Sequence, residues 1–270
     1  MAPESARPRG ITLWILILLT GLVPLTSGCS RSSQASTPRG TEIVVFVDFS
    51  ASTTKEDRKL YELAVTDQIL SSLSAGDRLL IAPINDKTLT AFHPLVETTF
   101  PPKPEFNGWM DNVLKYNKQA KEVDDQVAHL KETVRKQVDA LFAQRYTSQW
   151  TDVFSSLLIA KQLFHNEPRH KVLVLLSDMI EDYPPYRFER IAWSSDTNKK
   201  LLSELEGKGM IPDLSGVCIY VSGISAESAD LAQNIGSFWH EYFKRTKADM
   251  DPSRYAHVLL HWPPSTSCSL

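Results

Sequence analysis

The sequence predicts an α/β fold, a mainly parallel sheet with helices packed on both faces. Three observations lead there. Short apolar runs recur at Ile43-Val44-Val45-Phe46-Val47, Val172 to Leu176 and Val217 to Val221. They lack the in-out alternation of half-exposed strands, so they read as strands buried on both faces. Segments of helical period lie between them, and strands alternating with helices of that length imply crossover connections in a parallel sheet.

The elements follow in order from Thr41. Ile43 to Val47 is the first strand, and Lys55 to Leu73 a helix with Leu60, Leu63, Leu70 and Leu73 on one face. Gly76-Asp77 turns the chain into a strand at Arg78 to Ala82. Asn85-Asp86-Lys87 reads as a turn and Thr88 to Phe92 as an antiparallel edge strand paired back on it. Thr151 to Phe164 is a helix, Lys171 to Leu176 a strand, and Asn198 to Glu206 a short helix. A strand at Val217 to Val221, a helix at Ala226 to Lys244 and a last strand at Tyr255 to Leu260 complete the body.

A long helical insertion, residues 105–145, interrupts this rhythm. Val113, Tyr116, Ala120, Val123, Val127, Leu130, Val134 and Leu141 follow a 3-4 spacing that Gln137 breaks. Such a narrow seam suits a helix lying across its own domain or an arm that meets another chain. Domain organisation is therefore residues 1–29 as an export signal, 30–40 as a tether, 41–262 as the folded domain and 263–270 as a tail.

Arg7 and Arg9 precede an apolar run from Ile11 to Leu25, followed by small residues and Cys29. That order is the pattern of an export signal. The run is short for a membrane span, and Pro24 sits badly in one. Leu25-Thr26-Ser27-Gly28-Cys29 resembles a bacterial lipobox, which implies lipidation of Cys29 and a membrane anchor. An uncleaved anchor, ordinary cleavage and a buried fold element are the alternatives, and all but the last put the body outside the cytoplasm, in the cell envelope. Ser30 after Cys29 leans towards the outer membrane. Residues 30–40 are rich in Ser, Arg, Gln and Thr, a flexible tether with a reach of roughly 20 Å. Cys218 reads as a small core residue; pairing with Cys268 is chemically permitted in an oxidising compartment, and no spacing argument favours it. A net charge of -3 gives no electrostatic footprint for nucleic acid.

The chemistry gathers where strands end. Asp48-Phe49-Ser50-Ala51-Ser52 follows the first strand, and Ser177-Asp178 follows the strand at Val172 to Leu176. In an open α/β sheet the functional crevice lies outside the carboxyl ends of the strands. Asp48 and Asp178 therefore meet at one edge if their strands are neighbours. Trp150-Thr151-Asp152 opens a helix between them, with Thr151 at its first turn. Two carboxylates and three hydroxyls make an oxygen-only donor set, the preference of a hard cation such as Mg²⁺.

Asp48-x-Ser50-x-Ser52, then Thr151, then Asp178 resembles the metal-ion-dependent adhesion site of von Willebrand factor type A domains. The flanking stretches Glu42 to Ser50, Gly76 to Ile81, Thr151 to Leu157 and Lys171 to Asp178 are similar too, as are Phe238-Trp239 and Tyr242-Phe243. The resemblance spans roughly Thr41 to Trp262. It implies a Rossmann-like fold without a catalytic role, and Mg²⁺ or Mn²⁺ held by Asp48, Ser50, Ser52, Thr151 and Asp178. It further implies that a protein partner's Asp or Glu carboxylate completes the shell. Met179 stands where the family often has Gly, and a bulkier residue there is expected to crowd the loop.

Other candidates are weaker. Ser225 lies between a strand and a helix, a nucleophile elbow in outline, but it is better explained as a helix N-cap. His257 and His261 share a face if they lie on a strand. There is no phosphate-binding glycine motif. Met179 to Phe188 mixes aromatics, Arg187 and acids beside the metal ligands, which suits either a binding surface or packed core. A scaffold acting through the long helix, with an idle metal site, and a hydrolase are the alternative functions.

Overall fold

The computed structural model describes residues 40–51, 53–106, 108, 112–144 and 148–265. Cys29 and Ser52 lie outside them, as do the segment read as an export signal and Cys268. Six strands form one sheet in the order β3-β2-β1-β4-β7-β8. They are β1 (Thr41–Asp48), β2 (Arg78–Ile84), β3 (Val96–Thr99), β4 (His170–Leu176), β7 (Val217–Ser222) and β8 (Tyr255–Ala256). All neighbours are parallel except β3, which runs antiparallel to β2 at the edge. A two-stranded hairpin, β5 (Asp182–Tyr183) with β6 (Tyr186–Arg187), stands apart.

The two-residue period of a strand explains why β1 and β4 are apolar throughout. Val44, Phe46, Leu173 and Leu175 face one buried cluster, with helices α4 (Val153–Leu163), α5 (Ser195–Gly207) and α6 (Ala229–Thr246). Ile43, Val45, Val47, Val172, Val174 and Leu176 face the other, with α1 (Lys55–Leu63) and α3 (Val113–Ala143). Both faces are thus covered.

Thr54 starts α1 with a capping box: its hydroxyl accepts from the Asp57 amide, and Asp57 accepts from the Thr54 amide. The helix continues as a π-helical stretch, Ala64–Ile69, before the last turn α2 (Leu70–Ser72). Wider winding loosens the backbone ladder. The Thr66 carbonyl accepts from the Arg135 guanidinium of α3 at 2.9 Å, and the Ser71 carbonyl from Lys131 at 2.9 Å.

The long helix α3 lies across its own domain. Val127, Val134, Val138 and Leu141 are buried in the second cluster, with Val123, Leu130 and Phe142 partly so. Val138 takes the place in the seam that the exposed Gln137 cannot. Val113 and Leu114, at its start, are exposed.

Two strand expectations are corrected. Residues 88–92 form a turn, because the Thr88 hydroxyl donates to the Asn85 carbonyl and Asn85 accepts from the Lys87 amide. The antiparallel edge strand comes later, at β3. The last strand ends at Ala256, since the following chain leaves the sheet to bury Leu259 on the α1/α3 face. There the Trp262 indole donates to the Gln68 carbonyl and the Ser72 hydroxyl. Cys218 is buried as expected, yet it is disulfide-bonded to a partner outside the described residues. Among the described residues no helix is long and apolar enough to cross a membrane.

Candidate metal centre

The register puts Val47 opposite Leu176, so β1 and β4 end side by side. Asp48 and Asp178 thus emerge at the same carboxyl edge of adjacent strands. Asp48 is 1% exposed; its Oδ1 accepts from the Ser50 amide at 2.8 Å and its Oδ2 from the Ser177 hydroxyl at 3.0 Å. The first bond folds residues 48–50 into a side-chain-stabilised turn that holds Ser50, itself buried, beside the carboxylate. Asp178 Oδ1 accepts from the Ile180 amide at 2.8 Å.

Thr151 arrives by a second route. Ser148 bridges to Ser50 as a parallel pair, and the Ala51 amide donates to the Ser148 carbonyl at 3.1 Å. The Ser148 hydroxyl donates to the Trp150 carbonyl at 2.6 Å, which turns the chain sharply ahead of α4. Asp152, not Thr151, caps that helix, accepting from the Ser155 amide at 2.9 Å. Thr151 is left just outside the helix, 3% exposed, and its carbonyl accepts from the Asp182 amide at 3.0 Å. The structure so brings Asp48, Ser50, Thr151 and Asp178 to one edge. Ser52 lies outside the described residues.

Electrostatics at this edge are unfavourable for bare carboxylates. Burial pushes the Asp178 carboxyl up to about 8, and the Asp48 charge pushes it further in the same direction. Burial also raises Asp48, although its bonds from Ser50 and Ser177 and the nearby Arg58 oppose the rise. Two neighbouring acids drawn this far out of water cannot both ionise cheaply. A divalent cation between them would offset both penalties, and the nearby carboxylate and hydroxyl oxygens are hard donors. Among the described residues no group of three or more His, Cys, Asp or Glu side chains is placed to hold a metal ion. The donor set here has two carboxylates, and the rest are hydroxyls.

Met179 adopts a left-handed backbone, φ 65°, the conformation glycine supplies without cost. Its side chain is fully buried in the α4/α6 cluster, so it does not crowd the crevice. Its amide donates to the Ser177 hydroxyl at 3.0 Å, and its carbonyl accepts from the Trp239 indole at 2.7 Å. Packing on that side therefore tolerates what the backbone disfavours. The aromatic loop divides: Tyr186 and Phe188 are buried against Phe154, whereas Tyr183, Pro184 and Pro185 are outside the core. Arg187 stacks over Trp150 at 4.4 Å and pairs with Asp182 at 3.6 Å.

In the sequence Glu181 stands out only as one of the acids between Met179 and Phe188. It is 1% exposed and accepts from the Val153 and Phe154 amides at 2.8 and 3.2 Å, at the start of α4. Burial, then the nearby Asp152, pushes its carboxyl well up. Beyond that, only its position three residues after Asp178 could have drawn notice. Ser177, which orients Asp48, was visible as the residue before Asp178.

The other sequence candidates separate from this edge. Ser228, not Ser225, caps α6, accepting from the Leu231 amide, because the helix starts three residues later than expected. His257 and His261 lie beyond β8 rather than on a strand; the His257 ring approaches the Ile224 carbonyl, and the His261 backbone is left-handed.

The fold and crevice define an α/β domain with an acidic, hydroxyl-rich edge at its strand ends. The chain matches no protein-family model and no curated protein.

Proposed function

We propose that this is a von Willebrand factor type A-like binding module that holds Mg²⁺ or Mn²⁺ and uses it to grip a protein partner. Asp48, Ser50, Ser52, Thr151 and Asp178 supply the ligands, and an Asp or Glu of the partner completes the shell. Cys29 carries a lipid that fastens the module in the cell envelope. No catalytic step is assigned to it. One observation carries the reading: adjacent strands deliver a buried carboxylate, Asp48, and a partly buried one, Asp178, both shifted towards the neutral form, to an edge beside which the buried Ser50 and Thr151 also lie. Few ligands but a divalent cation relieve that arrangement. The burial of the α3 seam against its own domain favours this over a scaffold acting through that helix.

Calorimetric titration with Mg²⁺ and Mn²⁺, with Asp48→Ala alongside, tests the reading. Saturable binding that the variant loses supports it. Equal heats for the two proteins would remove the metal centre from the account.

A further inference from the structure

The loops that carry Thr151 and Asp178 come from distant parts of the chain, and each supplies oxygen to the same edge. Something must fix the distance between them. Among the described residues, two hydrogen-bonded contacts join the loops directly. One is the backbone bond from the Asp182 amide to the Thr151 carbonyl, 3.0 Å. The other is the Glu181 carboxylate, whose Oε2 takes both the Val153 and the Phe154 amide, at 2.8 and 3.2 Å. Those amides are the first of α4 and immediately follow Thr151-Asp152, so a carboxylate there meets unsatisfied donors and the positive helix end.

Asp152 caps α4 from within, accepting from Ser155 at 2.9 Å. It satisfies only one of the free amides at the start of α4, and Glu181 takes two others. That second acid comes from the loop after β4 and is buried to 1% exposure, so the bonds that satisfy the helix start also tie it to that loop. We infer that Glu181 is the positioning residue of the metal centre: its carboxylate latches the Thr151 loop to the Asp178 loop and so sets the spacing of their ligand oxygens. The inference rests on the metal-binding reading above. Asp152 and Glu181 thus do different things with the same helix end. Asp152 orders the helix, and Glu181 ties it to the opposite side of the crevice.

The test compares Mn²⁺ binding by calorimetry in the full chain and in Glu181→Ala, Glu181→Gln and Asp152→Ala, with unfolding temperature measured for each in chelator. Residues that orient metal ligands typically change affinity about 10- to 100-fold when removed. Glu181→Ala is expected to weaken Mn²⁺ binding by about that factor. Glu181→Gln, whose carbonyl can still accept both amides, is expected to restore most of the affinity. Asp152→Ala is expected to lower the unfolding temperature and leave Mn²⁺ affinity unchanged. If Glu181→Ala binds like the wild type, or if it and Asp152→Ala weaken binding equally, the latch is overturned while the metal centre stands. If Glu181→Ala does not fold, a Gln variant with wild-type affinity supports the latch and one that folds but binds weakly overturns it. A wild-type chain without saturable Mn²⁺ binding overturns both readings.

Discussion

Replacing Met179 by alanine and, separately, by glycine sets two opposing energies against each other. The side chain is fully buried among α4 and α6, and truncating a buried Met to Ala costs about 2–5 kcal/mol. The backbone is left-handed at φ 65°, which costs a residue with a Cβ about 1–2 kcal/mol. Alanine loses the packing and keeps the backbone cost. Glycine loses the same packing and sheds that cost, against an entropic penalty of about 0.5–1 kcal/mol. Both variants should therefore be less stable than the wild type, with glycine between level with alanine and about 1.5 kcal/mol above it. At an ordinary position the order is the reverse. Unfolding in chelator reads the difference, at roughly 2–4 °C per kcal/mol for a domain of this size. A glycine variant clearly below the alanine variant would refute the backbone argument. Wild-type stability in either would refute the packing.

Other outcomes follow from the same structure. Asp178→Asn keeps the acceptor for the Ile180 amide and removes one of two mutually repelling acids; metal-free stability at pH 8 should hold or rise, and the thermal shift given by Mg²⁺ should vanish. The pH dependence has a definite sign. Asp178 is pushed up to about 8 and Glu42 to about 7, chiefly by burial, so the folded chain keeps protons that the unfolded chain releases near pH 4. Metal-free stability should fall as pH rises from about 4 to about 8, and Mg²⁺ should recover most at the upper end; chemical unfolding at several pH values would expose a flat or rising profile. On α3, Val134→Ala or Val138→Ala should cost about 1.5–3 kcal/mol, whereas Leu114→Ser, on the exposed start, should stay within about 0.5. Equal effects at both ends would contradict the way the helix packs.

Much of the fold was legible because burial on two faces leaves a strand no polar positions. β1, β4 and β7 announce themselves that way, and so did the carboxylates at the ends of β1 and β4. The edge strand was harder. Thr88 to Phe92 has strand-like composition, but hydrogen bonds between Thr88 and Asn85 close a local turn, and β3 pairs instead through Val96 and the Arg78–Glu97 ion pair at 2.6 Å. The π-helical stretch left no mark in the apolar spacing. The role of Glu181 was invisible for a different reason: its partners lie 28 and 27 residues away, and nothing in its neighbourhood hints at a helix end. At Met179 the sequence shows the residue's bulk and leaves open its effect on the loop, because the direction of the side chain is not visible there.

The placement of the two ends of β1 has a practical consequence. Gly40 and Thr41 stand at one end of that strand and Asp48 at the other, eight residues and about 26 Å apart. The chain therefore enters the domain at the pole remote from the acidic crevice. A bead, surface or fusion partner attached ahead of residue 40 would leave that crevice pointing into open solution, accessible to whatever is offered to it.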